Sequence, residues 1–321
     1  MEKAPVIPTP YTPPPLMGNG HIQSIWPTLF RTVTGVSYRR ERIATADDDF
    51  LDLDWAAPGH RRLAVVTHGL GGNSHRAYVT GMVKALNQEG WDALAWNCRG
   101  CSEEINLKLR FSHNGATDDL HRVICHAAET GRYSEIVLVG FSMGGNISLL
   151  HLGRDEIHPL VKRAVVFSVP CHLASGARVL ARPSNFIYMK RFLFQLRELI
   201  RAKAVQFPGQ ISDAGYEEIR DFKDFDDRYT APMHGFKDAE EYWEKCSSIR
   251  VLSQIRIPCL MVNALNDPFL ARESYPVTQA KSNPHLHLIT PASGGHVGFM
   301  SLKKGMRFWS EQAAVDFLSP A

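Results

Sequence analysis

The sequence lacks a strong excess of charge of either sign. Its 36 Lys and Arg residues are nearly balanced by 33 Asp and Glu residues, which leaves a formal net charge of +3 at pH 7. No block of basic residues stands out, so the electrostatic footprint that nucleic acid binding requires is missing. We therefore expect no nucleic acid among the partners of this protein.

Cysteine is also scarce. The chain of 321 residues contains six cysteines at irregular spacing, too few for a disulfide scaffold. This usage predicts free, mostly buried thiols in a reducing compartment, and hence a cytoplasmic protein.

Long hydrophobic runs are missing as well. No uninterrupted apolar stretch approaches the roughly 20 residues that span a bilayer, and residues 1–15 lack the apolar core of a signal peptide. The sequence thus predicts no integral membrane segment. Hydrophobic residues make up 44% and charged residues 21% of the chain, as in ordinary soluble domains, which argues against disorder, collagen and coiled coil.

Proline, in contrast, is abundant near the start of the sequence, where residues 1–36 contain seven. Because proline lacks a backbone donor and favours extended chain, we predict for 1–36 an arm without helices that wraps over the body. Residues 37–57 alternate apolar and polar side chains around Asp47-Asp48-Asp49, which predicts a hairpin of edge strands with one solvated face.

Six short, unbroken apolar runs follow, as expected of strands that are buried on both faces of a parallel sheet. Helical patterns lie between them at 78–89, 117–129 and 146–152. This alternation predicts an α/β fold with a mostly parallel, doubly wound sheet, formed by 37–170 and 251–321. The six runs are 63–67, 93–96, 136–139, 164–167, 259–262 and 286–289.

The alternation stops between 171 and 250, which predicts a helical cap inserted into the core. Within this region, residues 185–206 place an apolar stripe on one helical face with basic residues around it. We interpret this helix as a lid that packs its stripe on the core; a helix lying on a membrane surface is the alternative. The stripe consists of Phe186, Met189, Leu193, Leu196 and Ile200.

The segment Gly140-Phe141-Ser142-Met143-Gly144 follows a predicted buried strand and precedes a predicted helix. A nucleophile elbow needs small residues two positions before and after its serine, because the tight turn brings backbones close together while it exposes Oγ. Gly140 and Gly144 meet this need. Ser142 is therefore the candidate nucleophile, and a plain glycine-rich turn whose serine caps the next helix is the alternative.

Serine needs a histidine base, and the histidine needs a carboxylate to orient it. Asp267 follows the run 259–262 directly, and His296 lies in a glycine-rich loop after the last predicted strand. They occur in the order serine, acid, histidine that this fold requires. A turn-capping role is the alternative for Asp267, and a structural role is the alternative for His296.

The oxyanion of such a reaction needs backbone donors. The amide of Met143, directly after the nucleophile, and the amide of Leu70, in the turn His68-Gly69-Leu70-Gly71-Gly72, are the candidates. A plain strand-to-helix turn is the alternative for the latter. Cys98 and Cys101 have zinc or redox spacing, but no second pair accompanies them, so we predict neither a metal nor a cofactor.

Together these motifs resemble the α/β-hydrolase superfamily and, within it, the YheT-like (AB hydrolase 4) esterases. The resemblance covers most of the chain and includes Gly20 to Ile25, Asn97 to Cys101, Phe222 to Asp226 and His234 to Phe236. It implies a Ser142–Asp267–His296 triad acting on carboxylic esters. Eukaryotic relatives act on phospholipids or form acyl esters and commonly carry a membrane anchor; this chain resembles the soluble bacterial type.

We therefore expect a serine carboxylesterase that forms an acyl-enzyme on a small or lipid-like ester. The apolar residues Phe186, Phe192 and Phe194 of the predicted cap favour short to medium acyl chains. Acyltransferase, lipase or thioesterase activity with the same triad is one alternative. A ligand-binding module that keeps the fold without catalysis is another.

Overall fold

The computed structural model describes residues 11–154, 156–301 and 307–319. Within them an eight-stranded sheet has the order β1-β2-β4-β3-β5-β6-β7-β8. The pairs β1–β2 and β2–β4 are antiparallel, and every other pair is parallel. The strands are β1 (Arg39–Ala44), β2 (Phe50–Ala56), β3 (Arg62–Thr67), β4 (Asp92–Asn97), β5 (Glu135–Phe141), β6 (Val161–Phe167), β7 (Cys259–Val262) and β8 (Leu286–Ile289).

Helices cover both faces of the sheet, because its strands are apolar on both sides. One core contains residues of α3, α4 and α10, and the other contains residues of α2 and α11. The helices are α1 (Gly20–Phe30), α2 (Ala77–Gln88), α3 (Thr117–Glu129), α4 (Met143–Arg154), α5 (Leu173–Leu180), α6 (Phe186–Gln206), α7 (Phe222–Phe225), α8 (Ala231–Met233), α9 (Ala239–Cys246), α10 (Val277–Ser282) and α11 (Trp309–Leu318).

The predicted fold class is confirmed. Each of the six unbroken apolar runs lies in a strand, β3 to β8, and each of the three helical patterns lies in α2, α3 or α4, except that 78–89 ends one residue beyond α2. Because parallel strands end at the same edge of the sheet, the loops after β3, β5, β7 and β8 meet at their carboxyl ends.

The predicted hairpin exists, but the prediction of two edge strands with a solvated face is wrong for β2. This strand pairs with β1 on one side and β4 on the other, and all of its residues are buried. The polar positions in the alternation are Asp52 and Asp54, which form two-pronged ion pairs with Arg42 and Arg40 of β1. The alternation of apolar and polar residues in β2 therefore reflects carboxylates that are paired with arginines and not a face in contact with water.

The prediction of an arm without helices is also wrong in part, since α1 spans Gly20–Phe30. The side chain of Asn19 accepts hydrogen bonds from the backbone N–H groups of His21 and Ile22 and so caps the helix. Six of the seven prolines precede residue 16, so that only Pro27 falls inside the helix. The part of the prediction that concerns residues 1–10 lies outside the described residues.

The helices α5 to α9 all lie between β6 and β7, in a segment that adds no strand to the described sheet. Residues of this segment form an apolar cluster of their own with Phe111. In α6, Met189, Leu196 and Ile200 of the predicted stripe are buried, but Phe186 is 62% exposed. The division into an arm at 1–36, a core and a cap at 171–250 stays a prediction. No helix in the described part of the chain has the length and apolarity needed to cross a bilayer.

Candidate active site

Ser142 lies at the sharp turn between β5 and α4. Its φ of 52° is in the left-handed region, which a residue with a side chain rarely adopts. A Cβ atom at Gly140 would lie 2.6 Å from the carbonyl oxygen of Gly144, and a Cβ atom at Gly144 would lie 2.4 Å from that of Thr67. The turn therefore has room for glycine alone at both positions, which is the geometry that the sequence motif predicts.

Three of the predicted site residues form one hydrogen-bonded chain. His296 Nε2 is 3.0 Å from Ser142 Oγ, and His296 Nδ1 is 2.9 Å from Asp267 Oδ2 and 3.1 Å from Oδ1. With its proton on Nδ1, His296 donates to the carboxylate and leaves the Nε2 lone pair to accept the hydroxyl proton of Ser142.

The three side chains differ in their access to solvent. The Asp267 side chain is fully buried, and its Oδ1 also accepts a hydrogen bond from the backbone N–H of Phe269. The side chain of His296 is 12% exposed, and its ring packs on that of Phe269 at 4.2 Å. Burial of the carboxylate keeps water from competing for it, so that its direction is set by His296 and the protein backbone.

Helix α1 holds the loop that carries His296. The hydroxyl of Ser24 accepts a hydrogen bond from the His296 backbone N–H at 2.7 Å and donates to the carbonyl of Gly20. Gln23, which is fully buried, donates from Nε2 to Ser293 Oγ at 2.7 Å. Sequence reasoning did not assign these residues a role in the site, although the segment Gly20 to Ile25 was among the motifs that carried the family resemblance.

The turn after β3 is held beside Ser142. A Cβ atom at Gly69 would lie 3.1 Å from Cβ of Ser142, which shows how closely the two backbones approach. Tyr78 Oη accepts the N–H of Gly69. His68 donates from Nδ1 to the Gly69 carbonyl and accepts the Cys98 N–H at Nε2, while burial lowers its pKa to about 4 and keeps the ring neutral.

Leu70 and Met143, the two predicted amide donors, both border the cavity that contains Ser142. Neither backbone N–H donates to any acceptor among the described residues. Met143 opens α4, so its amide belongs to the group of N–H donors that a helix N-terminus presents to a negative charge. The structure thus brings all five predicted site residues together, and their roles stay a prediction.

Two cavities meet at Ser142. The first, here called the inner pocket, lies under α5, α6, α7 and α9 and has about 820 Å³ of space. The second, here called the outer groove, lies between α1, the turn after β3 and α6, and has about 1730 Å³, part of it open to solvent. The residues common to both cavities are Leu70, Ser142, Phe192, Phe269 and His296.

The inner pocket is apolar along most of its wall but contains a buried acid. Asp226 accepts a hydrogen bond from Trp243 Nε1 at 2.7 Å. Burial, together with the like charges of Asp227 and Asp221, raises the pKa of the Asp226 carboxyl to about 7. His113 also lines the inner pocket, and burial holds the pKa of its imidazole well below the usual range, so that this ring is neutral.

The outer groove has a different lining. Ile25 and Leu29 of α1 form one wall, and Ile187 and Arg191 of α6 form the other. Arg76 also lines it and donates to the carbonyl of Gly71. Apolar and basic side chains therefore both line the groove, which leads to Ser142.

The three phenylalanines that the sequence analysis expects to shape the acyl site do not line a common cavity. Phe192 lines both cavities, whereas Phe186 and Phe194 are 62% and 65% exposed and line neither. Phe194 lies on the face of α6 away from its buried residues, and Phe186 is the first residue of the helix.

All six cysteines are free thiols, and four of them are buried. Cys101 is near Ser112 Oγ, at 3.5 Å from its sulfur, and burial raises the pKa of both Cys98 and Cys101. No group of three His, Cys, Asp or Glu side chains in the described ranges could hold a metal ion.

Comparison with known proteins agrees with the fold. The family model described as the alpha/beta hydrolase fold matches residues 65–301. Among relatives, the chain is 30% identical to the Escherichia coli K12 protein YheT, which carries the name of an esterase, over 94% of this chain and 90% of that one. It is 28% identical to the phospholipase ABHD3 of Mus musculus over 93% of this chain and 75% of that one.

Among solved structures, the Pyrococcus furiosus esterase Pf2001 superposes with a TM-score of 0.61 at 16% identity. The match covers 90% of this chain and 94% of that one. At this level of identity the likeness concerns the fold.

Proposed function

The chain belongs to the α/β-hydrolase family, and from that premise we propose that it is a serine carboxylesterase with Ser142 as nucleophile. The observation that carries the proposal is the hydrogen-bonded chain from Ser142 Oγ through His296 to the buried Asp267 carboxylate. A serine hydroxyl at its ordinary pKa is a poor nucleophile, and this arrangement supplies the base that activates it.

The proposed reaction has two halves. Ser142 Oγ attacks the ester carbonyl while His296 Nε2 takes its proton, and the imidazolium that forms is stabilised by Asp267. The proton then passes to the leaving alcohol, which gives an acyl-enzyme. Water, deprotonated by the same histidine, cleaves the acyl-enzyme and restores the serine. In each half the amides of Leu70 and Met143 hold the carbonyl oxygen when it becomes negative.

We assign the acyl chain to the inner pocket and the alcohol to the outer groove. The inner pocket is the smaller of the two cavities, lies under the helices between β6 and β7 and has mostly apolar walls, which suits a hydrocarbon chain that stays bound through both halves of the reaction. The outer groove is wider and open to solvent, so the alcohol can leave and water can enter without displacing the acyl group. This arrangement favours short to medium acyl chains.

The phospholipase among the relatives supports a lipid ester as an alternative substrate. Acyl transfer to an alcohol uses the same acyl-enzyme, and adding an alcohol during turnover distinguishes it from hydrolysis by the product formed.

The test is hydrolysis of p-nitrophenyl esters, from acetate to palmitate, by the wild type and by Ser142→Ala. We expect the substitution to reduce kcat at least about a thousandfold, because it removes the nucleophile. Labelling by a fluorophosphonate should be lost in Ser142→Ala and kept in Ser253→Ala, which removes an exposed serine elsewhere. An absence of turnover and of labelling in the wild type would reject catalysis and favour a ligand-binding role.

A further inference from the structure

Exposed apolar side chains are concentrated on two helices. Of the twelve large apolar side chains that are exposed in the described part of the chain, four lie on α1 and four on α6. Isolated exposed apolar residues are ordinary, whereas a contiguous group marks an interaction surface. The eight are Ile22, Ile25, Leu29, Phe30, Phe186, Ile187, Phe194 and Val205.

On α6 these side chains share their face with positive charge. Phe186, Lys190 and Phe194 follow one another at intervals of four residues, and Ile187 and Arg191 form the adjacent row. All five are exposed. Apart from Phe186, which begins the helix, these residues lie on the face away from the buried residues of α6, and none of the five is needed for packing against the core.

Helices α1 and α6 adjoin at one point, so that their exposed faces belong to one surface. His21 Nδ1 lies 3.1 Å from Tyr188 Oη, and the two rings stack at 5.7 Å. The outer groove opens between the two helices and leads to Ser142. We call the exposed faces of α1 and of residues 186–194 the groove rim.

The groove rim carries no negative charge. Residues 173–197 contain five basic residues and no Asp or Glu, and α1 contains no residue of either charge. Neither Lys190 nor Arg191 forms an ion pair with a carboxylate among the described residues. Lys190 instead lies over the ring of Phe186, at 5.9 Å from its centre.

We propose that the groove rim docks on the surface of an anionic lipid bilayer. Apolar side chains interleaved with Lys and Arg are what a helix needs to lie in the interface of such a bilayer, with its rings among the acyl chains and its cations at the phosphates. A second copy of the chain fits this surface poorly, because a two-fold interface would bury Lys190 and Arg191 against a rim that has no carboxylate to pair with them. Docking in this orientation turns the outer groove toward the bilayer.

The test measures binding of the purified chain to sedimenting vesicles of phosphatidylcholine alone and of phosphatidylcholine with about one-third phosphatidylglycerol. We expect binding to the anionic vesicles and little binding to the neutral ones, with a decrease as salt is raised. Phe186→Ser/Phe194→Ser should weaken binding at least tenfold. Lys190→Gln/Arg191→Gln should remove the preference for phosphatidylglycerol.

The matched control is Leu107→Ser/Val277→Ser, which removes two exposed apolar side chains from the loop after β4 and from α10. It should bind vesicles as the wild type does, and circular dichroism should show that all variants are folded. Equal binding by the phenylalanine variant and the control, or no binding of the wild type, would overturn the proposal. So would a dimer in light scattering that the phenylalanine variant dissociates. Vesicle binding can be measured on Ser142→Ala, so its outcome is separate from that of the catalytic proposal.

Discussion

The two cavities that meet at Ser142 differ in how their polar groups are placed. In the inner pocket the charge is deep: Asp226 is 8% exposed and bonded to Trp243. In the outer groove the charge is at the mouth, where Arg191 is exposed. A buried acid is sensitive to its own protonation, whereas an exposed cation acts on whatever approaches from solution. In the proposed function the inner pocket therefore selects the acyl group, and the outer groove determines how the substrate approaches Ser142.

Of the substitutions that test this comparison, Asp226→Asn in the inner pocket should have the largest effect, which is on the pH dependence of the free energy of unfolding. The pKa of the Asp226 carboxyl is about 7 in the folded protein and about 4 in the unfolded chain. Between these pH values the carboxyl is therefore protonated in the folded protein and ionised in the unfolded chain. The stability contributed by protonated Asp226 is full below about pH 4 and is lost as the pH rises to about 7. The loss amounts to about 1.4 kcal/mol per pH unit, or about 4 kcal/mol in all.

The measurement is the free energy of unfolding of the wild type and Asp226→Asn by urea at several pH values. The asparagine can still accept from Trp243 but does not titrate, and every other titrating group is shared. The wild type should therefore lose stability relative to the variant from pH 4 to pH 7, and the difference should then level off. A difference that is constant with pH would show that Asp226 ionises in the folded protein as it does in water.

A smaller effect is expected from filling the inner pocket. Gly176 of α5 lines it, and a Cβ atom there would have only ordinary contacts, the nearest at 3.6 Å. Gly176→Leu should lower kcat/KM for octanoate relative to acetate esters by about 10- to 100-fold, which is the discrimination that a few methylene groups provide.

The matched substitution is Thr28→Leu, which adds a leucine to the wall of the outer groove. It should change the preference among alcohol groups and not among acyl chains. If both variants shifted the same series, the assignment of acyl and alcohol to separate cavities would be wrong.

The smallest effect is expected from Ser24→Ala, which removes the link between the groove wall and His296. We expect kcat to fall about tenfold with little change in KM, because the histidine is less well oriented while the cavities keep their shape. Ser24→Thr retains a hydroxyl and should restore kcat. A change confined to KM, or failure of threonine to restore activity, would argue against a positioning role.

The sequence was sufficient for the sheet and for the order of the site residues. Unbroken apolar runs predict buried strands because both faces of a parallel strand must be apolar. Glycines at 140 and 144 predict the turn at Ser142 because a Cβ atom at either position would contact backbone. These are local properties, which neighbouring residues determine.

The errors concern properties that partners distant in sequence determine. The solvated face expected for β2 is buried because Arg40 and Arg42 neutralise its aspartates. Likewise, the exposure of Phe186 and Phe194 depends on which face of α6 meets the rest of the chain. The contact between Ser24 and His296 joins residues 272 positions apart, and spacing alone gives no sign of it.

That contact also bears on how the protein is made. The segment 20–30 leaves the ribosome 272 residues before the loop of His296, so all of the intervening chain must be synthesised before the hydroxyl of Ser24 can accept from the histidine amide. Contacts of such long range form slowly, because the intervening chain must first be ordered. A nascent or truncated chain that contains Ser142 but lacks either end of this contact consequently lacks the support that α1 gives to the loop of His296.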